Sequence, residues 1–330
     1  MISTPRLSVV ICTRDRAGLL GRTLASLAAQ TLDRSAFEVI VVDDGSTDET
    51  RAEVDVYSPS LDVRYAYQRH AGLASGKNHG LFLSRGTVVL FQDDDDLATP
   101  TLLEEHLRTH DAHPEESVAV LANTRLDPSI AGDPLMHFVT EVGCYLFSYP
   151  GLADGAVLDF EYFWGGRTSC KRAFLVERGV FNQVFRFGCE DIELGYRLSA
   201  FGLRVVYNAR AIGVMVRSLT FDGFCDRLVR QGRSNFVFSQ LHSDSRVQQW
   251  TEVAGSESRW RTAEGDFDLI VGKARRLDAM ARRKRELGFD LEPLDVTCLH
   301  EAYRAAFQLC KLKGIMDAHG RVGRPPAVTL

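Results

Sequence analysis

The stretch Gly86-Thr87-Val88-Val89-Leu90-Phe91-Gln92-Asp93-Asp94-Asp95-Asp96 decides how this chain is read. Its apolar, partly β-branched start reads as a buried strand, and four carboxylates follow. In an extended segment alternate side chains share a face, so Asp93 and Asp95 are expected to point one way and Asp94 and Asp96 the other. Two carboxylates about 4 Å apart repel by about 4 kcal/mol at an effective dielectric of about 20. A positive partner is therefore expected between them. A hard divalent cation, Mn2+ or Mg2+, suits that place, because such ions take oxygen ligands and leave positions for substrate phosphates. The plain alternative is a solvated acidic turn after an edge strand.

Working outward, strand and helix patterns alternate through the first 125 residues. Leu7 to Cys12, Phe37 to Val42, Val63 to Tyr67, Thr87 to Phe91 and Val118 to Leu121 read as strands. Leu19, Leu20, Thr23, Leu24 and Leu27 recur at helical spacing, and a second helix is expected from about Leu73 to Ser84. Pro100 is expected to open a further helix at its first position. Alternating elements of this kind imply an α/β fold, with a mostly parallel sheet and helices on both faces. Ligands bind beyond the carboxyl ends of such strands. The acidic clusters at 43–48 and 93–96 both fall there.

Residues 126–160 show weak patterning and read as a loop-rich insert. Glu190-Asp191 opens a helix whose apolar stripe would be Leu194, Leu198 and Phe201. Beyond 220 helices are expected at 220–237, 266–287 and 296–313, followed by a flexible tail from Gly320 to Leu330. The division expected is one domain over 1–235, in halves 1–125 and 126–235, and a helical C-terminal extension over 236–330.

The chain has 330 residues, 45% hydrophobic and 25% charged, which suits one large or two modest soluble domains. A net charge of −5 gives no sign of a nucleic-acid partner. No apolar run approaches the roughly 20 residues that span a bilayer. The basic stretch Arg275-Arg276…Arg282-Arg283-Lys284-Arg285 reads as a solvated helix face, the alternative being peripheral contact with an anionic membrane. Seven scattered cysteines without metal-site spacing are expected to be reduced thiols in a cytoplasmic protein.

Five ordered segments carry a resemblance to glycosyltransferase family 2, whose nucleotide-sugar-binding fold is called GT-A. They are Ser8-Val9-Val10-Ile11-Cys12-Thr13-Arg14-Asp15-Arg16, Val41-Val42-Asp43-Asp44-Gly45-Ser46, Gly72…Lys77-Asn78-His79-Gly80, Phe91 to Asp96 with Pro100, and Gly188-Cys189-Glu190-Asp191-Ile192-Glu193-Leu194. The resemblance covers about residues 6–235, and it implies that 1–235 is the catalytic domain, with a nucleotide-binding half (1–125) and an acceptor half (126–235). It implies an inverting transfer of a sugar from a nucleoside diphosphate donor, UDP-sugar being favoured, to an acceptor hydroxyl of unknown identity: saccharide, lipid-linked glycan or natural product.

By the same resemblance Thr13, Arg14 and Arg16 would lie at the nucleotide, and Asp44 would accept the base's N–H or bind the ribose. Lys77 would reach a phosphate or the base. Asp93 would contact ribose or a metal-bound water, Asp95 would ligate the metal, and Asp96 would touch the donor sugar's hydroxyls. Asp94 falls at a variable position and is read as a bystander. Asp191 would be the general base, with Glu190 orienting the acceptor, and Trp164-Gly165-Gly166 would line the sugar pocket. Ordinary turn chemistry at Asp43-Asp44 and helix capping at Glu190-Asp191 account for the same residues structurally.

Two departures stand out. No histidine follows the late strand near Met215-Val216-Arg217, where the family often carries a metal ligand. Arg167 stands where the family often has asparagine. The rival readings are a non-catalytic nucleotide-sugar-binding or scaffold protein and a sugar-phosphate nucleotidyltransferase. The second fits poorly, because Thr13-Arg14-Asp15-Arg16-Ala17-Gly18 is not a glycine-rich phosphate loop.

Overall fold

The computed structural model describes residues 4–320, so the tail expected to be flexible lies, beyond Gly320, outside the described residues. Among these residues nine strands form one sheet. They are β1 (Leu7–Thr13), β2 (Phe37–Asp43), β3 (Val63–Tyr67), β4 (Val88–Asp93), β5 (Asp96–Ala98), β6 (Val118–Leu126), β7 (Val157–Leu158), β8 (Arg167–Lys171) and β9 (Arg204–Met215). Their order is β3-β2-β1-β4-β8-β6-β9-β5, with β7 on β9. β1 runs parallel to β2 and β4, β2 to β3, and β6 to β9. β8 lies antiparallel between β4 and β6, while β5 and β7 run antiparallel to β9. The parallel arrangement expected from the sequence thus describes the first four strands of the order and the β6–β9 pair, and β8, β5 and β7 add antiparallel pairings.

β1 and β2 are largely apolar because both faces of the sheet are covered, and the buried Ser8 and Glu38 within them bond each other. The helix Ala17–Ala28 lays Leu20, Leu24 and Leu27 on Val9, Ile11, Val39 and Val41, all wholly buried. Each such leucine contributes about 1.5–3 kcal/mol of transfer free energy. The helix expected at Pro100 begins at Leu102, and β6 runs five residues past its expected end at Leu121. The helix Glu190–Ser199 buries Leu194 and Leu198, whereas Phe201 lies past its end and half exposed.

Contacts group the chain into two units. One holds the residues to Ser129 with Gly151–Arg186 and Glu190–Arg217; the other holds Ile130–Pro150, Phe187–Cys189 and the residues from Ser218 onward. The helix Phe221–Leu241, which spans the boundary expected at 235, packs along the helix Pro293–His319 in the second unit. A Cβ on Gly232 would lie 2.0 Å from the Lys311 carbonyl oxygen, and one on Gly314 would lie 2.0 Å from that of Val229, so the two backbones touch through glycine.

The insert read as loop contains the helix Pro134–His137 and a π turn, Phe138–Val142. Phe138 packs in the second unit on Tyr303 and Phe307, with ring centroids 5.1 and 6.1 Å away. The basic stretch is largely paired: Arg275 with Asp222, Arg282 with Asp133 and Asp278, Arg283 with Glu286, and Lys284 with Asp295. No helix of the described residues is long and apolar enough to cross a membrane.

His106 and His110, on the helix Leu102–Ala112, are buried and each bonds Ser169 Oγ, at 2.8 and 2.9 Å. Burial pushes both imidazoles down to about 3 from an ordinary value of 6.5. They stay neutral in the fold but charge in the unfolded chain below that value, so their contribution is complete above it and is lost as pH falls. Between pH 6.5 and 5, urea unfolding is expected to lose up to about 1.4 kcal/mol per pH unit per histidine. Replacing both by asparagine should flatten that slope; a wild-type stability flat across the window contradicts the account.

Candidate active site

Asp94 and Asp95 form a turn between β4 and β5. The turn corrects the alternation expected of an extended run. Asp93 and Asp96 share Arg167, at 3.3 and 3.8 Å, while Asp94 and Asp95 share Arg16, at 2.7 and 3.7 Å. Arg217 donates from Nε to Asp95 Oδ2. The antiparallel register Asp96↔Met215 and the bond from Val216 N–H to the Asp95 carbonyl (3.1 Å) bring it there. Arg167 opens β8, which runs antiparallel to β4 and so begins beside that strand's carboxyl end. Three guanidinium groups thus supply the positive charge expected among the acids.

Asp94 is no bystander. It is buried and accepts from Thr13 Oγ1 at 2.8 Å and from Arg16, and its backbone carbonyl accepts from Thr23 Oγ1 at 2.9 Å. Burial raises its carboxyl above the ordinary value against the pull of Arg16. Thr13 and Arg16, expected at the nucleotide, serve first to hold this acid. Arg16 keeps 40% of its side chain exposed, while Arg14 is exposed with Asp15 at 3.5 Å. Asp96, expected at the donor sugar, instead faces inward, because β5 turns it against β9. It accepts from Thr124 Oγ1 at 2.9 Å, and burial pushes its carboxyl up to about 7 despite Arg167. Asp93 is the open acid at 40% side-chain exposure, against 8% for Asp95.

Asp44, expected to meet the base or ribose, is saturated by its own chain. Its carboxylate accepts from Gln68 Nε2 (2.7 Å), Ala71 N–H (2.8 Å) and Gly72 N–H (3.0 Å), with His70 Nδ1 at 2.7 Å. Burial opposes its charge, but these bonds outweigh burial and hold the carboxyl below its ordinary range. Asp44 therefore shapes the 68–72 loop. Asp43 accepts from Tyr65 Oη at 2.6 Å and from Ser46 N–H at 2.7 Å, which is the expected turn chemistry.

Lys77, expected at a phosphate or the base, is buried and donates to Glu190 Oε1 at 2.9 Å, with the Phe181 ring 5.2 Å away. Burial opposes its charge, yet Glu190, Asp191 and Asp93 together hold its ammonium above the ordinary value. Asp191 is half-buried at the first turn of its helix and accepts from Ile192 N–H and Gly165 N–H, both at 2.8 Å. Burial and the neighbouring Glu190 raise its carboxyl, while Lys77 restrains it.

The Gly165-Gly166 turn joins the two acid groups. A Cβ on Gly165 would lie 2.3 Å from Lys77 Nζ and 3.1 Å from Asp191 Cβ; one on Gly166 would lie 2.1 Å from Asp93 Oδ2. Glycine lets the backbone pass between Asp191 and Asp93, where a side chain at either position would have to displace that of Lys77 or Asp93. Trp164 donates from its indole to the Glu161 carbonyl at 2.8 Å beside the Tyr162 ring.

Asp93 and Asp95 are hard oxygen donors of the kind Mn2+ and Mg2+ use, and such ions need only one or two carboxylates when phosphates complete the shell. Among the described residues no three acids, histidines or cysteines gather to hold an ion. The donor set fits a cation that arrives with a diphosphate. The sequence had marked Arg167 and Arg217 only as departures; their pairing with the acids needed the register of β8 and β9.

A mixed α/β sheet with acids and arginines gathered beyond the carboxyl ends of its strands defines a ligand-binding protein of the doubly wound class. Residues 8–141 match the family described as Glycosyl transferase family 2. Validoxylamine A glucosyltransferase of Streptomyces hygroscopicus subsp. jinggangensis (strain 5008) is 34% identical over 260 residues, covering 69% of this chain and 61% of that protein. The uncharacterized glycosyltransferase YfnE of Bacillus subtilis (strain 168) is 26% identical over 241 residues, covering 59% of this chain and 61% of that protein. The chain thus spans about three fifths of the length of these relatives. Among solved structures, the mannosyltransferase PcManGT from Pyrobaculum calidifontis, in complex with GDP-Man and Mn2+, shares the fold at TM-score 0.60 and 19% identity, over 97% of this chain and 88% of that one. S. aureus TarS 1-349 in complex with UDP does so at TM-score 0.53 and 17% identity, over 97% and 93%. Match, relatives and fold together identify a family 2 glycosyltransferase domain of GT-A type.

Arg16→Ala strips the cation from a buried acid. Breaking such a pair costs about 3–5 kcal/mol when fully buried, and the half-exposed guanidinium reduces this to about 1–3 kcal/mol. Asp94→Asn in the same chain should recover most of that loss in urea unfolding. Equal losses in the single and double variants would show that Arg16 does not serve Asp94.

Proposed function

We propose that this chain is an inverting glycosyltransferase that moves a sugar from a nucleoside diphosphate donor, UDP-sugar being favoured, to an acceptor hydroxyl. The observation that carries the proposal is the Gly165-Gly166 turn, which sets Asp191 and Asp93 on its two sides. An acid poised to take a proton and an acid cluster suited to a diphosphate are thereby neighbours. The glucosyltransferase relative, the GDP-Man complex of PcManGT and the UDP and UDP-GlcNAc complexes of TarS support the same substrate class.

In the proposed step the acceptor oxygen bonds to the anomeric carbon and its proton passes to Asp191. The bond from that carbon to the diphosphate oxygen breaks, and its electron pair leaves with the nucleoside diphosphate. A single displacement inverts the anomeric centre. Gly165 N–H and Ile192 N–H fix the Asp191 carboxylate. Lys77 neutralises Glu190 beneath it, so the pair of acids need not share a proton. Arg16 and Arg217 are the half-exposed cations nearest Asp95. A divalent cation held by Asp95 and Asp93 would act as a Lewis acid for the charge on the leaving group.

Asp191→Asn is expected to bind UDP with Mn2+ as the wild type does in calorimetry. Transfer to water from the best-binding UDP-sugar should fall about 10²–10⁴-fold, the range for a lost general base. In the wild type that rate should drop as pH falls through the raised value of Asp191, since only the ionised form accepts a proton. Near-normal turnover by the asparagine variant would remove Asp191 from the role.

A further inference from the structure

Arg217 lies in the region after β9 where the resembled family often carries a metal-ligating histidine, yet an arginine cannot serve as one. A guanidinium stays protonated and has no lone pair to offer an ion. Its Nε instead lies against Asp95 Oδ2, the same oxygen that has Arg16 Nη1 at 3.7 Å. Such a cation disfavours a bare metal ion on Asp95 and favours any polyanion that comes near. The side chain keeps a third of its surface exposed, at 33%. Among the described residues neither of its Nη groups has an acceptor. A guanidinium fork with free Nη–H groups matches two phosphate oxygens at once.

Its placement is fixed by the fold. β9 pairs with β5 through Asp96↔Met215, and Val216 N–H bonds the Asp95 carbonyl. The backbone therefore holds Arg217 at the acidic turn whatever its side chain contacts. The charge balance favours the same role. Three arginines meet four carboxylates, so an incoming diphosphate must draw on cations already present or bring its own.

We infer that Arg217 is a positioning cation for the donor's diphosphate. It holds Asp95 while no donor is bound, and its Nη groups take diphosphate oxygens when one arrives. Part of the nucleotide binding then needs no divalent cation. The inference rests on the glycosyltransferase reading and adds a residue to it.

The test is calorimetric titration of UDP into the full chain, once in EDTA and once with Mn2+. Wild type is expected to bind in both. Arg217→Ala should weaken binding in EDTA by about tenfold or more, the loss of a charge-assisted bond, and by less with Mn2+. Arg217→Gln keeps a donor for Asp95 without the charge and should lose EDTA binding equally, which preserves the test if the alanine variant does not fold. Arg217→His should instead bind Mn2+ more tightly without nucleotide, read from the electron paramagnetic resonance of free Mn2+. Unchanged EDTA binding by both neutral variants, or wild-type binding that appears only with Mn2+, would overturn the inference while leaving the transferase reading intact. Failure of wild type to bind UDP in either buffer would defeat both.

Discussion

Four successive carboxylates crowd the end of β4, and the local structure depends on how their mutual repulsion is met. Each neighbouring pair at close range would cost about 4 kcal/mol if left uncompensated at a surface-like dielectric. Arginines from three separate places answer it: Arg16 after β1, Arg167 at the start of β8 and Arg217 after β9. Those three segments can meet only if β8 is antiparallel to β4 and β9 is antiparallel to β5. The switch from parallel to antiparallel pairing is thus tied to the electrostatics of the site.

The acids divide into two kinds. Asp94 and Asp96 face inward and tie the turn to Thr13, Thr124 and the helix Ala17–Ala28. Asp93 is left open at the rim, with Arg16 and Arg217 half exposed beside the buried Asp95. Across the two-glycine turn sits a second charged group in which buried Lys77 balances Glu190 and leaves Asp191 held by backbone N–H groups. On the proposed function, the first group meets the diphosphate and the second takes the acceptor's proton.

The parallel strands were legible in the sequence because burial on both faces makes them largely apolar runs, as in Leu7–Cys12 and Phe37–Val42. So was the gathering of acids beyond the strand ends, since they follow β2 and β4 directly. The fates of individual side chains were not. Asp44 and Lys77 look available in sequence, but bonds from Gln68, His70, Ala71 and Gly72, and from Lys77 to Glu190 across more than a hundred residues, commit them to the scaffold. The three-residue strand β5 is too short to show periodicity, so the pairing that buries Asp96 against Thr124 is not read from the sequence. Phe138 in the insert is ordered by Tyr303 and Phe307, contacts that no local pattern announces.

The central claim is that the arginine-bound acids at the end of β4 receive a nucleoside diphosphate. A crystal of the full chain soaked with UDP and Mn2+, with an anomalous difference map collected at the manganese edge, tests it most directly. The account predicts diphosphate density within hydrogen-bond reach of Arg16 or Arg217, with manganese between that density and the carboxylates of Asp95 and Asp93. Ordered UDP elsewhere in the molecule, with Asp95 still closed on Arg217 and no metal peak beside it, would contradict it.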